Sequence, residues 1–105
     1  MRKPGRWRLS AEVATQQIRK RAAISANVLL TVHAQEQMVA RDIIAAEVFR
    51  ILRDGQVLEP PALEGEEWKA IMELRMPGGR DAATVTALTG VERLVVVTVM
   101  WRDLA

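Results

Sequence analysis

The sequence predicts a small α+β domain: two to three N-terminal helices packed on a three- to four-stranded antiparallel sheet. Three observations carry the prediction. The chain has 105 residues, enough for one hydrophobic core. Up to about Gly55 apolar residues recur mostly at helical spacing, whereas from Trp68 onward they alternate at period two. The breaker runs Pro60-Pro61 and Pro77-Gly78-Gly79 bound the alternating segment and mark its first hairpin.

The elements follow in order. Residues 1–9 carry Pro4-Gly5 and no periodicity, so they read as an arm. Ser10 is an N-cap for a helix from Ala11 to about Ile24, with Ala14, Ile18 and Ala22 as a narrow apolar stripe. So narrow a stripe suggests a helix on the surface or against another chain, including a second copy of this one. Val28-Leu29-Leu30 reads as extended, and Thr31 as the cap of a helix from Val32 to about Ala40. On that helix His33, Gln37 and Arg41 drift only ~80° around the axis and form a polar face. Ile44, Val48, Ile51 and Leu52 mark a third helix, closed by Gly55 where a left-handed residue is wanted. Gln56–Glu59 reads as a short strand.

Trp68, Ala70, Met72, Leu74 and Met76 alternate with Lys69, Ile71, Glu73 and Arg75, the pattern of a half-buried strand. Ala83–Thr89 is the return strand, and Thr89-Gly90-Val91-Glu92 the next turn. Arg93–Trp101 is so rich in Val that both faces should be covered, which makes it the expected central strand. The domain boundaries read as 1–27 for the basic arm and helix, and 28–105 for the α+β domain.

Composition narrows the chemistry. No cysteine is present, which excludes disulfides and thiol nucleophiles, and His33 is the one histidine, so no metal site and no cofactor are expected. The apolar-rich run Leu94–Trp101 spans eight residues, against the roughly twenty of a membrane helix. Ser10–Gln17 is too polar for a signal peptide, so a cytoplasmic protein is expected. Residues 1–26 hold seven basic side chains against Glu12, and the remainder eight basic against twelve acidic. An anionic partner would therefore be drawn to the N-terminal piece.

The run His33-Ala34-Gln35-Glu36-Gln37-Met38-Val39-Ala40-Arg41-Asp42-Ile43, followed by Val48, Leu52 and Gly55, resembles the bacterial family catalogued as domain of unknown function 4258. That family is similar in turn to RelE-like toxins and the wider barnase-like ribonucleases. The resemblance covers about residues 29–101 and ends on Val97-Thr98-Val99-Met100-Trp101. It carries onto His33, Met38, Arg41, Ile43, Gly55 and Thr98. Gln37 departs from it, standing where the family has an Arg beside Met38, and so does Ile44, standing where a Ser would cap the third helix. Asp42 is the expected substitute for that cap.

The resemblance implies a ribonuclease-like toxin of a toxin–antitoxin pair, with RNA as substrate and an antitoxin protein as partner. Metal-free RNA cleavage needs a base, an acid and cations around the phosphorane. His33 could act as acid or base, and Arg41 could hold a phosphate oxygen. Glu73, flanked by Lys69 and Arg75 on one strand face, could supply a carboxylate base between two cations. Arg6 and Arg8, with Trp7, could clamp RNA by phosphate contact and stacking. Against this stands a plainer reading, in which His33 is solvated, Arg41 makes a surface salt bridge, and the strand residues are an ordinary solvent-facing side. The alternative function is then a non-catalytic protein-interaction module on the same fold, with helix 11–24 as the candidate homodimer contact.

Overall fold

The structure, a computed structural model, describes residues 9–102. Helix α1 spans Ala11–Ala22, and a 3-10 turn at Ser25–Asn27 leads into strand β1, Val28–Leu30. Helices α2 (Val32–Arg41) and α3 (Ala45–Asp54) follow. The remaining strands are β2 (Gln56–Val57), β3 (Ala62–Glu64), β4 (Glu67–Arg75), β5 (Asp81–Thr89) and β6 (Arg93–Trp101). The expected caps are in place: the Val13 amide donates to Ser10 Oγ at 3.1 Å, and the Ala34 amide to Thr31 Oγ1 at 3.0 Å.

The six strands form one mixed sheet, ordered β1-β6-β5-β4-β2, with β3 also paired to β4. This corrects the three- to four-stranded antiparallel expectation. Strand β1 runs parallel to β6, with Val28 opposite Leu94 and Leu30 opposite Val96. Thr31 continues the pairing, since its hydroxyl donates to the Val97 carbonyl at 3.1 Å. The three residues of β3 were hidden behind Pro60-Pro61, and their pairing with Trp68 and Lys69 is a tertiary fact.

All three helices cover one face. On it Trp68, Ala70, Met72 and Leu74 stand beside Leu88, Thr86, Thr84 and Ala82, and these beside Leu94, Val96, Val99 and Trp101. A register shift between Val85 and Thr86 leaves Val97 as the extra residue of a bulge, so the alternation of β6 flips there and Val99 and Trp101 return to the core side. Ile18, Val48, Ile51 and Leu52 are fully buried against this face. Each such side chain contributes about 1.5–3 kcal/mol relative to exposure.

The alanine and isoleucine stripe of α1 packs on its own domain: Ala14, Ile18 and Ala22 are all fully buried in the same core. It is therefore not a free surface for a second copy. Two arginines lock α1 to α3 reciprocally. Arg19 donates to the carbonyls of Asp54 and Gly55 at the end of α3, and Arg53 donates to the Ala22 carbonyl at the end of α1. Each helix thus satisfies orphan C-terminal carbonyls of the other with a favourable charge.

Three local expectations are corrected. The central strand is β5, whose Ala83 and Ala87 are buried on the face away from the helices, while Val95, Val97 and Met100 of β6 remain half-exposed there. Gly55 is extended (φ −78°), not left-handed; it is required because a Cβ would lie 2.5 Å from the Glu73 carbonyl oxygen and 2.6 Å from that of Ile51. Asp42 does not cap α3. It ends α2 in the left-handed conformation at φ 57°, and Glu47 instead accepts from the Ile44 amide at 3.0 Å.

Candidate functional site

The face of the sheet away from the helices is built by the other half of the period-two pattern. Lys69, Ile71, Glu73 and Arg75 of β4 line up with Ala87, Val85, Ala83 and Asp81 of β5. Beyond them stand Val95, Thr98 and Met100 of β6, with Leu29 of β1 beside Val95. Ile71, Val85, Val95 and Met100 are half-exposed and take no part in the core, and Leu29 is 61% exposed. This face has an apolar centre and two contrasting charged corners.

The first corner lies where β4 ends, β5 begins and β6 ends. Arg75 Nε meets Asp81 Oδ1 at 2.6 Å, which raises the arginine pKa through that hydrogen bond and the neighbouring negative charge. Arg102 Nη2 meets Glu73 Oε2 at 3.4 Å. The Arg80 guanidinium lies over the Trp101 ring, 4.0 Å from its centroid. Trp101, which packs toward the core, donates from Nε1 to the Arg41 carbonyl at 2.9 Å and so fixes the end of α2 to this end of the sheet from the helix side. At this end of the sheet Arg75 and Arg102 therefore flank Glu73 on the open face, while Arg80 and the end of α2 meet Trp101 on the helix side. A guanidinium has five N–H donors, so Arg75 and Arg102 retain donors after binding their carboxylates.

Glu73 and Arg75 share this end of the open face, whereas Arg41 and His33 belong to α2 on the other side of the sheet and Lys69 stands at the far end of β4. His33 is exposed near the start of α2, ~12 Å along the helix from Arg41. Among the described residues no hydrogen bond or ion pair fixes either the His33 ring or the Arg41 guanidinium. Lys69 is six residues from Arg75 on β4, about 20 Å away, and binds Glu64 at 3.0 Å. The hollow beside Glu73 and Arg75 is lined by Asp54, Gln56, Leu58 and Asp81 and contains no residue of α2. Arg6 and Arg8, with Trp7, lie outside the described residues.

Sequence reasoning missed Arg80, Trp101 and Arg102. Arg80 follows the Pro77-Gly78-Gly79 turn and Arg102 follows the last strand, so each flanks an element end. Their convergence depends on the β4–β5–β6 pairing. The N-terminal basic cluster is partly structural. Besides Arg19, Arg21 Nη1 donates to the carbonyls of Thr89 and Arg93, and burial lowers its pKa, with Glu92 opposing.

The second corner is acidic. Glu64 and Glu67 stand directly opposite each other across the β3–β4 hairpin, with Glu66 in its turn and Glu59 before Pro60. Among the described residues no group of three or more His, Cys, Asp or Glu side chains is arranged to hold a metal ion. No described helix is long and apolar enough to cross a membrane.

No curated protein and no solved structure matches the chain. One family model does, over residues 30–101, which takes in α2, α3, β2 to β6 and the last residue of β1 but leaves α1 outside. A match over that much of the 105 residues assigns the family: the chain belongs to the domain of unknown function DUF4258.

Proposed function

We infer that this domain binds a phosphate-rich ligand, RNA in the first instance, at the arginine corner. The observation that carries the reading is the concentration of arginine at one end of the sheet: Arg75 and Arg102 beside Glu73 on the open face, and Arg80 and the end of α2 with Arg41 at Trp101 on the helix side. Guanidinium groups grip phosphate oxygens in bidentate fashion. The likeness to RelE-like and barnase-like ribonuclease toxins supports an RNA target. Within such a toxin Glu73 would serve as the base with Arg75 and Arg102 beside it, and Arg41 would hold a phosphate of RNA that passes round the end of the sheet. His33, two helical turns from Arg41, would contribute as acid only if a bound RNA spanned that distance. An antitoxin protein would then cover the corner.

The test is induction of the chain in bacteria beside its Arg41→Ala, Glu73→Gln and His33→Ala variants, with growth and RNA integrity followed together. A toxin arrests growth and fragments RNA, and Arg41→Ala and Glu73→Gln relieve both. Intact RNA and normal growth with the unsubstituted chain would defeat the cleavage reading. Salt-sensitive binding of single-stranded RNA, lost in Arg41→Ala, would still uphold the binding one.

A second reading, a non-catalytic protein-interaction module, is favoured by the uncovered apolar centre formed by Leu29, Ile71, Val85, Val95 and Met100. Their arrangement, an apolar patch with a charged rim, suits a protein interface. The described side of the face carries no aromatic side chain, since Trp68 and Trp101 both pack toward the core, so base stacking across its centre is not supported. A partner that binds the intact chain and is lost with Val95→Glu and Met100→Glu, but kept with Arg41→Ala, would establish this reading over the first.

A further inference from the structure

The acidic corner contains a hollow of about 250 Å³ between β3 and β4. Its floor is apolar, formed by Pro60, Ala62, Ile71 and Val85, and Glu59 and Glu64 stand on its rim. Among the described residues Lys69 is the one cation lining it, and it is already engaged with Glu64 at 3.0 Å. Glu67 faces Glu64 directly across the two strands, a like-charge pair that disfavours the hairpin. Glu59, Glu66 and Glu67 form no ion pair among the described residues. The rim therefore carries uncompensated negative charge above an apolar surface.

That combination suits one kind of side chain. Lysine and arginine have an apolar stem that covers hydrophobic surface and a cationic head that reaches past it. We propose that this hollow receives a lysine or arginine side chain of a partner protein. The stem lies over Ile71 and Val85, and the head lies at the rim between Glu59 and Glu64, with Glu67 opposite Glu64 adding its charge. Binding relieves the Glu64–Glu67 repulsion as well as forming new ion pairs. The proposal makes no use of the arginine corner, so it stands or falls separately from RNA binding.

The experiment is a titration of the full, nitrogen-15-labelled chain followed by NMR, with three probes. These are the blocked pentapeptide Val-Lys-Val-Lys-Val, its glutamate counterpart Val-Glu-Val-Glu-Val, and free spermidine. The expected result is saturable shifts of the amides of residues 59–71 with the lysine peptide and none with the glutamate peptide. The exposed double variant Glu59→Gln/Glu67→Gln, checked for an otherwise unchanged spectrum, should bind the lysine peptide about tenfold more weakly. Added salt should weaken the wild-type complex in the same direction. Four outcomes overturn the proposal: no shifts at these amides, equal binding of both peptides, undiminished affinity in the double variant, or spermidine binding as tightly as the peptide.

Discussion

The two charged corners of the open sheet face are built on the same strand yet handle charge in opposite ways. At the end of β4, Glu73 and Arg75 each meet an oppositely charged partner, Arg102 and Asp81. At its beginning, Glu67 faces another carboxylate, and a single lysine serves the whole group. The difference comes from what the neighbouring elements deliver. The β4–β5 turn and the end of β6 bring arginines to one corner, whereas the β3 hairpin returns more glutamates to the other. Charge alternation along one strand therefore says little about a site. The strand's neighbours decide whether each charge is compensated.

The change expected to break the contrast most severely is Gly55→Ala. Its Cβ would press on the Glu73 and Ile51 carbonyls, both backbone atoms that cannot swing aside. A loss of about 3 kcal/mol in chemical denaturation is expected. The arginine corner should loosen with it, because Glu73 is the residue displaced. A variant as stable as the parent would show that β4 shifts freely there.

Next in size is Trp101→Phe, which keeps the ring packed but removes the donor to the Arg41 carbonyl. A loss of about 1 kcal/mol is expected, together with weaker RNA binding, because the end of α2 is no longer tied to β6. Unchanged stability and unchanged affinity would show that the indole bond does not organise the corner.

Arg102→Gln should leave the fold intact and weaken RNA binding. It should reduce the slope of log affinity against log salt by about 0.7, the value for one phosphate contact on a single strand. The same measurement on Glu67→Gln should show no such fall, since that carboxylate belongs to the opposite corner. Equal effects from both would reduce the contrast to overall net charge. The smallest expected effect is on stability in Glu67→Gln, a gain of about 0.2–1 kcal/mol from removing the charge opposite Glu64. A loss of stability instead would mean that Glu67 makes a favourable contact that the hairpin needs.

Much of the fold was legible because local physics fixed it. Ser10 and Thr31 cap helices, and the alternation from Trp68 to Met76 separates core from surface correctly. The span of β6 matched its Val-rich run, although its place in the sheet did not. For the site, Glu73 and Arg75 were readable as candidates, but Arg102, which pairs with Glu73, was not, and Arg41 stands on the other side of the sheet from them. The reading of Gly55 found an indispensable residue for the wrong reason, because a gap between an oncoming strand and a helix end leaves no mark in the local sequence. Asp42 was misassigned similarly: its left-handed conformation serves the end of α2, and Glu47 reaches back to start α3.

By itself the sequence determined which stretches coil and which extend, and which side of each element prefers water, since periodicity, caps and breakers act within a few residues. Tertiary structure alone decided that β1 joins β6 in parallel, across 66 positions from Thr31 to Val97. It also decided that all helices share one face, that Arg102 meets Glu73, and that Arg80 and the end of α2 meet Trp101. Those outcomes depend on long-range pairing, in which the partner of each residue is set by the packing of the whole chain and not by its neighbours in sequence.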